Sequence, residues 1–432
     1  MSFALSLMVV AATVYFMVRR FEVRLVLLGA GLVLGIIAGQ PLLLFDTFGR
    51  AMVAGMVGPI CAAMGFAAVV SATSCDKHLV HLLLMPIRRV RPLMLPGGIL
   101  VAYLVNMAVS SQTSTAAAIG PILFPLLLAA GFSKEVAGSA LLLGASFGGD
   151  LLNPGAQDVV AIASVASLAS SQLSARVIPA SLAGAFTAAL VFAVLNRRRD
   201  DPTEPPAQAP AEDFRVSLLH AAVPVAPIVM LLLAYGGFPP LAVLIAIPPG
   251  EDWKPFSGSL PIVRAMLIGV VLALIVARRE IQKLTRAMFT GIGEAYGTII
   301  SLTITAQCFG AGIAAVGLSA QLLEIARAFG FLALLAAGFP WALALLSGSG
   351  SGPILTFAQT FLPGLSAADD PARLAALACF GGAFGRTMSP VAAVVVYCSG
   401  LAATSPIALI SRLAPAILAG AVVSFGLVWL WP

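Results

Sequence analysis

A run of polar residues, Ser110, Ser111, Gln112, Thr113, Ser114 and Thr115, stands between two apolar stretches, and Ser347, Gly348, Ser349, Gly350 and Ser351 interrupt another. Hydroxyls, a side-chain amide and unpaired backbone N–H groups can hold a carboxylate without a fixed cation. Gly148, Gly149, Gly348, Gly350 and Gly385 allow close backbone approach to a ligand, and Pro154 and Pro390 remove helical hydrogen bonds. Half-helix N-termini at such breaks carry the positive ends of their dipoles. As isolated residues, Ser, Thr and Gly serve mainly to pack membrane helices tightly. Their recurrence in related places of two halves is the sequence pointer to a binding site.

The charged residues inside apolar stretches add to these. Arg386, in FGRTMSP, is the basic residue placed at membrane depth, where a charge left unpaired costs several kcal/mol. It suits a bidentate grip on a carboxylate; the alternative is a standing ion pair with Asp150 or Asp158. Asp150, Asn153 and Asp158 are candidates for a coupling proton or cation, with helix capping as the structural alternative. Glu294 is expected to reach toward the basic surface near Lys283 and Arg286. His78 and His81 are expected to be solvated in a basic loop, two ligands being a poor metal site, and His220 to be interfacial. The five cysteines are scattered and without metal-type spacing, so they read as packing residues and no metal site is expected. No GxxxxGK[ST] occurs, and no catalytic constellation lies at membrane depth, so neither an ATP-driven pump nor an enzyme is expected.

These residues need a membrane scaffold to position them. With 60% hydrophobic and 10% charged residues, the chain reads as an all-α polytopic membrane protein. The arms of 92–130 and 329–365 are short for full crossings of ~20 residues, so each pair reads as a re-entrant hairpin with a polar tip. The steps 347 − 110 and 384 − 147 both give 237, so tip and FG…P break repeat together. The expected first repeat is 1–196, with spans 2–18, 23–45, 51–74, 135–169 (broken) and 176–196 around hairpin 92–130. A Pro- and Ala-rich linker follows at 197–214. The second repeat, 215–432, has spans 215–236, 260–278, 287–316, 373–400 (broken) and 404–431 around hairpin 329–365, with an outer loop at 237–259. Five crossings per half make the second repeat enter the membrane inverted. The expected fold is therefore an inverted repeat with two re-entrant hairpins and two broken transmembrane helices, the tips meeting near the midplane and facing the breaks. With both termini outside, Arg19, Arg20, Arg88, Arg89, Arg91, Arg197, Arg198, Arg199, Arg278 and Arg279 fall inside, as the positive-inside rule prefers. The net charge of +6 thus reports orientation and calls for no nucleic acid.

The stretches GFAAVV near Gly65, AVSSQT at Ala108, LFPLLLAAG at Leu123, QDVVAIA at Gln157, SGSGSGP at Ser347, GRTMSPVAAVVV at Gly385 and SPIALISRLAP at Ser405 span nearly the whole chain in order. In these the chain resembles the DcuC-type family of anaerobic C4-dicarboxylate carriers, within the wider ion transporter superfamily. The resemblance implies an elevator-like secondary carrier of succinate, fumarate or malate in the inner membrane, without a cofactor, coupled to Na+ or H+. It places substrate contacts at Ser110, Ser111, Thr113, Ser347, Gly348, Ser349, Arg386, Thr387 and Ser389. The chain departs from the family pattern at Asp150, Asn153 and Ser351, which leaves substrate and coupling ion open. A cation/proton antiporter or another organic-anion carrier on the same scaffold is the alternative. The expected partners are a small dicarboxylate and the lipid bilayer, with no nucleic acid and a homodimer left open.

Overall fold

The computed structural model describes residues 2–19, 21–87, 93–109, 111–196, 214–235, 260–277 and 281–430, and every regular element among them is helical. The expected linker at 197–214, apart from Phe214, and the outer loop at 237–259 lie outside the described residues, as do Arg88, Arg89, Arg91 and Ser110.

In the first half, α1 (Ser2–Val18), α2 (Val23–Ile37), α3 (Leu43–Met52), α4 (Val57–Ala72) and α5 (Cys75–Leu84) precede a helical hairpin of α6 (Met94–Ala108) and α7 (Gln112–Ala129). Then come α8 (Lys134–Ser146), a 3-10 turn (Gly149–Leu152), α9 (Gln157–Val165) and α10 (Ser170–Leu195). The second half opens with α11 (Leu218–Ala222), α12 (Ala226–Tyr235) and α13 (Leu260–Val276). Next, α14 (Ile281–Ala295) runs through a π-turn (Tyr296–Ile300) into α15 (Ser301–Ala315), followed by α16 (Leu318–Ala328). A second hairpin, α17 (Leu332–Ser347) and α18 (Ser351–Phe361), leads to α19 (Pro371–Thr387), α20 (Ala393–Leu401) and α21 (Pro406–Leu430).

Among the described residues, Gln112–Ala129, Ser170–Leu195, Ile281–Ala315 and Pro406–Leu430 are helices long and apolar enough to cross a membrane, and α3 with α4 forms a pair bent by 50°. Several expected spans are divided. The span 23–45 stops at Ile37, where Gly39 takes φ +73° and Pro41 follows, and its last residues belong to α3. The span 215–236 is two helices because Pro224, without an N–H, sits between them. His78 and His81 are not in a loop but on α5, half-buried, with the Phe214 ring 4.6 Å from His78 and 4.2 Å from His81. Glu294 is exposed.

Helix contacts come in matched sets across the two halves. α6 packs on α8 as α17 packs on α19; α7 meets α20 as α18 meets α9; α2 meets α15 as α13 meets α4. The buried apolar residues form two main clusters. One is built chiefly from α6–α10 with α17–α21, the other chiefly from α1–α4 with α12–α15. The hairpins and breaks thus share one body, and the remaining spans form another against it.

Candidate functional site

In the first hairpin α6 ends at Val109 and α7 begins after Ser111. Ser111 caps α7: its hydroxyl accepts from the Ser114 N–H at 3.3 Å and lies 3.0 Å from Ser114 Oγ. Asn106, buried in the apolar arm α6, donates from Nδ2 to the Val109 carbonyl at 3.1 Å, and Thr115 Oγ1 lies 2.9 Å from the Val109 and Ser111 carbonyls. Carbonyls freed by the turn are thereby satisfied from inside the protein. The same Asn106 accepts from the Asp150 N–H at 3.0 Å, and Gln112 donates from Nε2 to Asp150 Oδ2 at 2.7 Å. The first tip is therefore pinned to the first break. Gly149 allows it, since a Cβ there would lie 2.1 Å from the Tyr103 carbonyl oxygen.

In that break α8 ends at Phe147, Gly148 takes φ +106°, and Pro154 precedes the N-terminus of α9. Asn153 accepts from the Gly155 N–H at 2.9 Å and donates to the Met107 carbonyl at 3.4 Å, so it holds the turn's own backbone. Asp158 sits in the first turn of α9, where the dipole favours a carboxylate, yet its Oδ1 is buried without a hydrogen-bond partner.

The second hairpin repeats the arrangement with different chemistry. α17 ends on Gly348 at φ +74°, a C-terminal stop suited to glycine. The Ser349 N–H donates to Ser347 Oγ at 3.3 Å. A Cβ on Gly348 would lie 2.9 Å from the Ala392 nitrogen, and one on Gly350 would lie 2.8 Å from Arg386 Nη1. The second tip therefore rests on the second break. Behind it, Gly381 and Gly385 let α17 approach α19 so closely that added Cβ atoms would fall 2.2 and 2.3 Å from the Ala337 and Trp341 carbonyl oxygens. Ser347 and Ser349 also line a narrow cavity of about 40 Å³ shared with Met17, Val23 and Leu302 of the other body.

The two breaks meet each other. The Phe147 and Phe384 rings are 4.8 Å apart, and Thr387 Oγ1 lies 2.7 Å from the Ser146 and Ala383 carbonyl oxygens and 2.8 Å from Ser146 Oγ. Thr387 is fully buried with its one proton already claimed, so the structure gives this expected substrate contact a role in the seam between breaks. Arg386 is 7% exposed, and Asp150 and Asp158 are 3% exposed each. The Arg386 charge acts on both carboxylates. No ion pair or hydrogen bond joins it to either among the described residues, and its Nε and Nη2 are buried without partners. The standing ion pair considered from sequence is therefore not what the structure contains; Asp150 is held by an amide instead. Ser389 Oγ is likewise buried and unpartnered.

Of the expected site residues, the structure gathers Gly348, Arg386 and Ser389 around the second tip and break, with Ser347 and Ser349 at the cavity, while Ser111 and Thr113 are half-buried at the first tip. Asp150 and Asp158 flank this centre. Sequence reasoning placed Gln112 at the first tip without foreseeing its bond to Asp150, and did not assign Asn106 or Ser146 to the centre. A polar residue inside an apolar hairpin arm was the available signal for Asn106. Among the described residues no three His, Cys, Asp or Glu gather into a metal-ligating group.

Comparison with known proteins bears on this geometry. The fold resembles the crystal structure of the YdaH transporter of Alcanivorax borkumensis, whose topology is described as unusual, with a TM-score of 0.60 at 18% identity over 90% of this chain and 86% of that one. A putative uncharacterized transporter of Haemophilus influenzae is 27% identical over 62% of this chain and 96% of its own length. The anaerobic C4-dicarboxylate transporter DcuC of Escherichia coli K12 is 26% identical over 83% of this chain and 77% of that protein. The family model described as C4-dicarboxylate anaerobic carrier matches residues 46–431. With polar hairpin tips, paired helix breaks and a buried arginine on one helical membrane scaffold, the chain belongs to the DcuC family of C4-dicarboxylate carriers, a family of transporters and not of enzymes.

Proposed function

We propose that this protein is a secondary active carrier of C4-dicarboxylates such as succinate, fumarate and malate across the inner membrane, with Arg386 as the one side-chain cation that meets the substrate. The observation that carries this reading is a guanidinium with buried, unpartnered Nε and Nη2 placed against the glycine turn of the second tip. Leaving such donors unmade is costly, so a bidentate acceptor suits the place. One carboxylate is assigned to Arg386, Gly348, Ser349 and Ser389, with Ser347 shaping the tip. The other is assigned to the first tip, Ser110, Ser111 and Thr113. The coupling ion, Na+ or H+, is assigned to the neighbourhood of Asp150 and Asp158, with Asn153 shaping the backbone there.

Residues 1–196 and 215–432 are taken as inverted repeats joined by 197–214, with re-entrant hairpins and both termini outside; the matched helix contacts support the pairing. The division into two apolar clusters supports an elevator-like movement of the hairpin body against the other. The cavity of about 40 Å³ at the second tip has room for about one water, so a four-carbon diacid requires the bodies to part there. The site is complete within one chain, so a homodimer would serve the scaffold, and no nucleic acid enters the function.

Uptake of labelled succinate by proteoliposomes tests the reading. Saturable uptake, competed by fumarate and malate and not by acetate, is expected; equal competition by acetate refutes the two-carboxylate site. The buried Asp150 and Asp158 favour one other reading, a cation/proton antiporter, for which cation flux without any dicarboxylate would be decisive.

A further inference from the structure

All three histidines of the chain come together away from the transport site, where the second half begins. His78 and His81 stand on α5, and the ring of His220, on α11, lies 4.8 Å from that of His78. Phe214 stacks on His81 at 4.2 Å and lies 4.6 Å from His78. Ser217, the N-cap of α11, joins the two helices: its backbone N–H donates to His78 Nδ1 at 3.2 Å, and its hydroxyl lies 2.8 Å from His220 Nδ1. An amide N–H can only donate, so His78 presents a bare Nδ1 and carries its proton on Nε2. A second proton on that ring removes the acceptor and sets a charge beside two other imidazoles.

The neighbouring elements supply little to hold such a charge. α5 packs on α4, α6, α7 and α11. Their titratable groups are Cys61 of α4, Tyr103 of α6 and His220 of α11, with none on α7. α5 itself adds Cys75, Asp76 and Lys77, the segment before α11 adds the exposed Arg215, and α13, which packs on α11, adds Arg264. Asp76 Oδ1 accepts from the Lys77 N–H at 2.9 Å. Burial holds the His78 imidazole below its usual range, and His220 and His81 push the same way. The same contact reaches the first hairpin. Leu79 beside His78, Ala221 beside His220 and Ile228 of α12 are buried with Ala108, the last residue of α6, and Met107 packs against them. The Met107 carbonyl accepts from Asn153 at 3.4 Å, so this small apolar cluster backs both the first tip and the first break.

We propose that His78, Ser217 and His220 form a clasp that holds α11 on α5 at neutral pH and opens on protonation, loosening the backing of the first tip so that transport falls as the inner side turns acid. The effect on transport rests on the carrier reading, whereas the opening of the clasp does not. An undocked histidine titrates near about 6.5, and the docked His78 does so lower. Between those values the undocked form binds more protons, so docking is complete above about 6.5 and is lost as pH falls through the lower value. Arg197, Arg198 and Arg199 precede Phe214 in the chain and lie inside on the topology proposed above, which makes internal pH the signal.

The test uses the full chain in proteoliposomes at equal pH on both faces, about 7.5 or about 5.5, so that no proton gradient acts. Exchange of external labelled fumarate, still largely a dianion at the lower pH, is measured against internal fumarate. In parallel, Ala221→Cys, at a position 2% exposed, is labelled with maleimide relative to Leu218→Cys, at a position 68% exposed on the same helix, with Cys61 replaced and the label on the parent subtracted. Relative labelling at position 221 is expected to rise about tenfold at the lower pH, and exchange to fall about fivefold. His78→Gln keeps an acceptor for the Ser217 N–H and takes no proton, so both quantities are expected to stay within about twofold. His220→Gln removes the like charge and is expected to move both changes to lower pH. Labelling that ignores pH in the wild-type background, or that rises equally with His78→Gln, overturns the clasp. Labelling that responds while exchange does not overturns its hold on the first tip. Absence of exchange at both pH values overturns the carrier reading instead, and the labelling still decides the clasp. Should His78→Gln fail to fold, an unchanged midpoint in His220→Gln overturns the proposal.

Discussion

Ser111 and Ser349 stand at the two hairpin tips but differ in what else they hold. Ser111 is the cap of α7, so Ser111→Ala is expected to cost about 1 kcal/mol of stability besides any binding loss. Ser349 caps nothing and lines the cavity, which makes Ser349→Ala the cleaner probe. A hydroxyl bonded to a carboxylate contributes roughly 1.5–3 kcal/mol, so the apparent affinity for succinate is expected to weaken about ten- to hundredfold in transport assays. Arg386→Gln is expected to remain in the membrane and lose transport, because no ion-pair partner is abandoned by the change. Loss of expression in Arg386→Gln, restored by adding Asp150→Asn, would reinstate the ion pair and remove Arg386 from the substrate.

At the scale of elements, the two tips are seated by different means. The first is tied to its break by Gln112 and Asn106, the second by backbone approach at Gly348, Gly381, Gly382 and Gly385. Gly348→Ala adds strain at φ +74° and a contact of 2.9 Å with Ala392, and is expected to cost about 1–3 kcal/mol, read as a lower melting temperature in detergent. The base of the second hairpin is held by charge. Arg327 grips Asp369 with two hydrogen bonds of 3.0 and 2.7 Å, and Arg176 of α10 reaches Asp370 at 2.7 Å. The Arg327 guanidinium, together with the Ser366 N–H and hydroxyl, holds the Asp369 carboxyl below its usual range. A lowered value means that the stabilisation is present above the unfolded pKa, about 3.9, and is lost as pH falls through the folded one. Asp369→Asn is therefore expected to lower the melting temperature at pH 7, and the gap from wild type should shrink once the pH drops below about 4. A gap that is unchanged down to pH 2.5 would show that the latch owes nothing to charge.

For the whole molecule, the two apolar clusters make relative movement testable. Val23 of α2 and Pro353 of α18 line the same cavity from opposite bodies. Cysteines at these positions, in a background with the half-buried Cys61 replaced, are expected to be bridged by mercuric ion and to arrest succinate uptake, with recovery on adding thiol. Undiminished uptake in fully bridged protein would rule out separation of the bodies at the second tip.

The sequence by itself determined the membrane class, the positions of both hairpins and the places of both breaks. Those follow from local physics: apolar arms of limited length, glycine turns, and Pro154 and Pro390 standing where the helices break. It also singled out Arg386, because a charge in an apolar run is conspicuous. What only the tertiary structure decided is which polar atoms are already used. Thr387 looks like a free hydroxyl in the sequence, and packing against Ser146 consumes it. Asp150 looks like a partner for Arg386, and Gln112 from another helix takes that place. The histidines looked solvated until Phe214, far along the chain, covered them. Helix ends are set by neighbours in sequence, whereas hydrogen-bond partners across a core are set by neighbours in space.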